Sequence, residues 1–101
     1  MLFRSVYAAV TGLDDGKAGV VTLKRSPSGE LTIVRTANIT GRAPYIRADR
    51  AGKNLLAAHY GPGEVTVYRI EKGVCTGELL DRKKTEKTAH CIEVEIGRAH
   101  V

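Results

Sequence analysis

Two histidines and their neighbours are the residues of this chain best suited to chemistry. His90 heads the short apolar run Cys91-Ile92, and a neutral imidazole there could take or give a proton in a hydrolytic step. His59 and Tyr60 end an apolar run just before Gly61-Pro62-Gly63. A side chain in that place either hydrogen-bonds the turn or contacts a substrate at the rim. Arg42 and Arg47 are candidates for holding an anionic group. A hydrolytic step would need a water, a proton acceptor and donors for the developing oxyanion. One histidine cannot supply all three.

Other chemistries lack a motif. Cys75 and Cys91 have no C-x-x-C spacing and read as free structural thiols. Alternation along a strand puts His90 and Cys91 on opposite faces, so no shared metal is expected, and nothing calls for a cofactor. Gly61-Pro62-Gly63 is not a phosphate loop, because no helix carrying Lys and Ser or Thr follows it. Asn38-Ile39-Thr40 matches a glycosylation triplet of a kind common by chance.

The elements that position these residues are strands. Val6 to Thr11, Gly19 to Lys24, Glu30 to Ala37, Tyr45 to Ala48, Asn54 to Tyr60, Glu64 to Ile70 and a weaker run near Glu78 to Arg82 are rich in β-branched residues, and another run begins at Ala89. Ser26-Pro27-Ser28-Gly29, Arg50-Ala51-Gly52-Lys53 and Glu71-Lys72-Gly73 are turn sequences that make hairpins. No segment has a helical period.

The composition is 43% apolar and 27% charged with one Phe, four Tyr and no Trp, so the core must be aliphatic. The net charge of +5 raises nucleic acid as a partner, with Arg82, Lys83, Lys84 and Lys87 as the densest basic run. Asp81 and Glu86 interrupt that run, which reads as a solvated strand edge, and no nucleic acid is expected. No run is long and apolar enough for a spanning helix or a secretory signal, so no membrane is expected and the default compartment is the cytoplasm.

The chain repeats itself. Val6-Tyr7-Ala8-Ala9-Val10-Thr11-Gly12 resembles Leu55-Leu56-Ala57-Ala58-His59-Tyr60-Gly61, Gly19 to Leu23 resembles Gly63 to Val67, and Ala43 to Asp49 resembles Ala89 to Glu95. A period of roughly 40 to 50 residues with four short strands per unit is that of propeller blades. Each blade hides its faces against its neighbours, and about three or more repeats are needed for stability, so two alone should expose apolar faces and edges. The expected fold is all-β, a β-propeller fragment of about two four-stranded antiparallel blades. Met1 to Ser5 and Ile96 to Val101 can both be back-translated into the two strands of a common sequencing adaptor. Residues 6–94 are accordingly expected to be the natural segment and 1–5 and 96–101 adaptor-derived flanks, which removes His100 from the functional candidates.

The most specific stretch contains a Gly41-x-x-Pro44 approach, an Asp49-x-x-Gly52 turn, a strand ending in Tyr60-Gly61, and then Gly63-Glu-Val-Thr-Val-Tyr68. This stretch resembles the blade pattern of the lactonase-type seven-bladed β-propeller family, and Thr88-Ala89-His90 resembles the segment where a histidine begins the innermost strand of the next blade. The resemblance implies an active site on the central channel and a small-molecule lactone as substrate. It implies a parent hydrolase that converts 6-phosphogluconolactone to 6-phosphogluconate. His90, at the repeat position of Pro44, is the expected catalytic residue, with His59, Tyr60 and Arg42 as substrate-binding candidates. Further arginine and acidic groups come from later blades in that family, so this chain alone is expected to be inactive. A non-catalytic binding platform and an enzyme of muconate lactones are the rival readings, and the oligomeric state is open.

Overall fold

The computed structural model describes residues 4–13, 16–59 and 63–85. Seven strands follow in order: β1 Arg4–Val10, β2 Gly19–Arg25, β3 Leu31–Asn38, β4 Tyr45–Ala48, β5 Asn54–His59, β6 Glu64–Glu71 and β7 Val74–Lys84. They form two antiparallel sheets, β1-β2-β3 and β4-β5-β6-β7, each with its strands in chain order. The expected strands are present, with β7 longer than the short run foreseen. The strand expected from Ala89 lies outside the described residues, and β1 includes Arg4 and Ser5, which pair with Arg25 and Lys24.

Local chemistry explains the turns. Between β4 and β5, the Asp49 carboxylate accepts from the amides of Lys53 (2.9 Å) and Asn54 (3.2 Å) and from the Asn54 side chain (2.8 Å), while Gly52 N donates to the Asp49 carbonyl. Lys72 and Gly73, both at positive φ, make the two-residue β6–β7 hairpin. At the Ser26 turn, Gly29 N donates to Ser26 O and Glu30 N to Ser26 Oγ.

The two sheets pack face to face. Alternation sends Leu55 and Ala57 of β5, Thr66, Tyr68 and Ile70 of β6 and Cys75 of β7 towards the first sheet, where they meet Tyr7, Val20, Thr22 and Ala37. The polar groups in this contact are paired across it. Tyr7 Oη donates to Gly73 O (2.9 Å), Cys75 N to Thr22 Oγ1 (3.0 Å), Thr40 N to Tyr68 Oη (3.1 Å) and Arg35 Nη2 to Thr76 O (3.2 Å). Burial raises the pKa of the Cys75 thiol and, as its main cause, that of the Tyr7 phenol, so both stay protonated as packing groups.

The ladders correct one detail of the repeat. Ala8 pairs with Val21 and Ala57 with Thr66, so Thr66 occupies the rung of Val21 and not of Thr22. The glycines that suggested the other alignment differ in place: Gly19 pairs with Val10 inside the ladder, whereas Gly63 precedes Glu64, the partner of His59. A one-residue slip exchanges the faces of a strand. With the corrected alignment, Thr22 and Thr66 point to the same contact from opposite sheets. Both sheets then carry a bulge at one repeat position, between Thr22 and Leu23 and between Val67 and Tyr68. The strand positions of β1, β2 and β3 are those of β5, β6 and β7; among the described residues nothing fills the first sheet's counterpart of β4.

Two stability outcomes follow from these contacts. A Cβ on Gly73 would lie 2.6 Å from Ser5 Oγ and 2.8 Å from Lys24 Nζ, at a φ of 80° that L side chains avoid. Gly73→Ala should cost about 2 kcal/mol, read as a lower urea midpoint with an unchanged slope. At Asp49 burial opposes ionisation, but hydrogen bonds from the Asn54 side chain and the Lys53, Asn54 and Gly52 amides outweigh it and hold the carboxyl below its ordinary value. That contribution is complete above the unfolded value of about 4 and is lost as the pH falls through the folded value. The wild type should lose stability below about pH 4 more steeply than Asp49→Asn, in urea titrations across that range.

Candidate functional site

Antiparallel alternation brings three parts of the chain to one end of the two sheets: residues 11–13 and 16–18 between β1 and β2, 39–44 between β3 and β4, and the end of β5. Arg42 and His59 both lie there. His90, the expected proton-transfer residue, and Tyr60 fall outside the described residues.

His59 is anchored by its strand. It is the last residue of β5, its ladder partner is Glu64, and Thr66 is the diagonal neighbour on the same face. The ring is 1% exposed. Its Nδ1 lies 2.9 Å from Arg42 O and its Nε2 2.8 Å from Thr66 Oγ1. A carbonyl only accepts, so Nδ1 carries the proton and Nε2 accepts from the Thr66 hydroxyl. Both ring nitrogens are thus engaged within the protein. The imidazole fastens the 39–44 connection to the second sheet, and with it the place from which the Arg42 side chain leaves.

Arg42 itself is exposed and lines two adjoining clefts. One, of ≈ 600 Å³, is also lined by Thr11, Lys17, Asn38 and Thr40; the other, of ≈ 240 Å³, by Ala9, Val10, Ala43 and Pro44. Two cationic side chains and several hydroxyl and amide groups therefore face open space at this end, a set that can meet an oxygen-rich, negatively charged molecule. Arg47 is exposed on β4, opposite Leu56, on the surface of the second sheet turned away from the first. Among the described residues no group of three His, Cys, Asp or Glu side chains converges on a point that could hold a metal ion.

Sequence reasoning brought out Arg42 and His59 but missed Thr66 and Lys17. Thr66 had a legible signal: two residues beyond the ladder partner of His59, a hydroxyl sits on the same face as the ring. Lys17 had none, since its approach to the cleft depends on the path of a loop.

A family model described as lactonase, 7-bladed β-propeller matches residues 3–96 of the chain. No curated protein and no solved structure matches it significantly.

Removing the Thr66 hydroxyl strands a buried ring nitrogen. Thr66→Val should lower stability by about 1 to 3 kcal/mol, and His59→Leu in the same chain should add less than its separate cost, because the two share one interaction. Urea unfolding of the two single variants and the double variant measures the coupling.

Proposed function

The chain belongs to the lactonase family of seven-bladed β-propellers, and from that membership we propose that it supplies about two blades of a lactone hydrolase acting on 6-phosphogluconolactone. The match over residues 3–96 carries this reading. Two sheets of four and three strands are a small part of a seven-bladed ring, so the full site is assembled with blades beyond those described.

In the proposed reaction a water adds to the lactone carbonyl, the ring C–O bond breaks, and the product is the open hydroxy acid. His90 accepts the proton of the water and returns it to the departing ring oxygen. Arg42, held at the end of the sheets by the bond from His59 to its carbonyl, faces the anionic part of the substrate. Tyr60 adjoins this end in sequence and is assigned to substrate contact. His59 contributes by positioning Arg42. The oxyanion is met by donors from other blades, so the 101-residue chain alone does not turn over. A phosphorylated sugar does not cross a bilayer unaided, which fits a cytoplasmic location, and no helix among the described residues is long and apolar enough to span a membrane.

The test is a hydrolysis assay with 6-phosphogluconolactone on the complete propeller that contains this segment. His90→Ala should lower kcat by about a hundredfold or more with unchanged circular dichroism, and the 101-residue chain should match the uncatalysed rate. A complete propeller without lactone hydrolysis would turn the reading towards a binding platform.

A further inference from the structure

Lys17 and Arg42 line the larger cleft from two different segments, and each leaves from a held backbone. Leu13 N donates to Lys17 O (3.0 Å), and His59 Nδ1 donates to Arg42 O (2.9 Å). Ile39 N donates to Ala18 O (3.1 Å), which ties the segment carrying Lys17 to the one carrying Arg42. Both side chains are exposed, and neither the ammonium nor the guanidinium has an ion-pair or hydrogen-bond partner among the described residues. No carboxylate is among the described residues that line the cleft. Glu64, which starts β6 at the same end of the sheets, is already engaged with Arg82 (3.6 Å), and Asp14 and Asp15 lie outside the described residues.

Thr40 adds a directed donor. Its amide donates to Tyr68 Oη (3.1 Å), and its Oγ1 lies 3.2 Å from the same oxygen. Tyr68 is buried, so its phenolic proton needs an acceptor inside the protein, and Thr40 Oγ1 is the one that the described residues offer. The phenol then donates to Thr40, whose own hydroxyl proton is turned away from Tyr68. Thr40 is exposed and lines the cleft, as does the Asn38 amide at the end of β3.

Two positive charges with a hydroxyl donor beside them suit a compact dianion. A phosphate monoester carries a charge of about −1.5 to −2 at pH 7 on three acceptor oxygens. A guanidinium can meet two of those oxygens at once, and an ammonium adds a point charge at the third. We propose that Lys17 is the second cation of a phosphate subsite, in which Lys17, Arg42 and the Thr40 hydroxyl hold the phosphate of a phosphorylated sugar lactone. Lys17 thereby determines specificity for the phosphorylated substrate, an inference that rests on the hydrolase reading above. The volume of ≈ 600 Å³ is that of a small-molecule cleft, and the adjoining one of ≈ 240 Å³, which shares Thr11 and Arg42 and extends to Pro44, leaves room for the sugar.

The test compares 6-phosphogluconolactone with the same lactone lacking its phosphate, on the complete propeller that contains this segment. Lys17→Gln should raise KM for the phosphorylated lactone about tenfold. The loss should fall on KM and not on kcat, and only on the phosphorylated substrate, while Lys17→Arg should restore most of it. Calorimetric binding of 6-phosphogluconate should weaken about tenfold in Lys17→Gln as well, with gluconate as the control. Hydrolysis that keeps its preference for the phosphorylated lactone in Lys17→Gln overturns the subsite and leaves the hydrolase reading standing. A propeller that hydrolyses neither lactone but binds 6-phosphogluconate through Lys17 does the reverse. Equal loss on both lactones, or binding of 6-phosphogluconate that Lys17→Gln leaves unchanged, also overturns the subsite.

Discussion

The structure depends on the close approach of two twisted sheets, each of which has an apolar face to remove from water. Large side chains are scarce in this chain, and the contact is made by small ones at the places of nearest approach. Gly77 sits where an added Cβ would come within 3.0 Å of the Ala37 methyl, and Gly73 against Ser5 and Lys24. Ala57 and Leu55 are fully buried in one cluster with Val20 and Tyr68. Such proximity excludes water from polar groups as well, which makes each of them costly unless it finds a partner. Hydroxyls from Tyr7, Thr22 and Tyr68 fill that need by bonding across the gap to the backbone of the opposite segment. No buried side-chain polar atom among the described residues is left without a partner.

The candidate site inherits its geometry from this packing. β4 and β5 are held by the Asp49 turn at one end and by the His59 clamp at the other. The connection that carries Arg42 runs between the two sheets and is tied to both: Ile39 N donates to Ala18 O in the segment entering β2, and Thr40 N to Tyr68 Oη in β6. The Arg42 side chain is exposed, while its backbone carbonyl accepts from His59 Nδ1. A charged side chain that starts from a held backbone has a fixed origin, and that is the basis of the positioning role proposed for the buried histidine.

Repetition in this chain is a property of rungs and bulges more than of residue identities. The bulge at Val34 and that at Leu80 re-aim the outermost strand of each sheet at the same place, although the two residues and their neighbours differ. A repeated backbone imposes repeated surfaces, and the side chains on those surfaces need only keep their size and polarity class. Arg35 and Asp81 illustrate the freedom that remains: they occupy one position with opposite charge.

The sequence by itself determined the strands, the turns and the family. Alternating β-branched runs, the Asp49-x-x-Gly52 turn and the Lys72-Gly73 hairpin are local signals, set by backbone sterics within a few residues, and the blade pattern from Gly41 to Tyr68 is a contiguous motif. Tertiary structure decided what depends on register and on residues distant in the chain. The one-residue difference that places Thr66 on the rung of Val21 is invisible to a comparison led by glycines, because loop length separates a strand's first residue from its first paired residue. The burial of His59, at a turn where polar side chains usually meet solvent, follows from Arg42 O and Thr66 Oγ1 converging on its two nitrogens. Those partners come from the connection entering β4 and from β6, and the pairing of β4, β5 and β6 in one sheet brings them to a single ring.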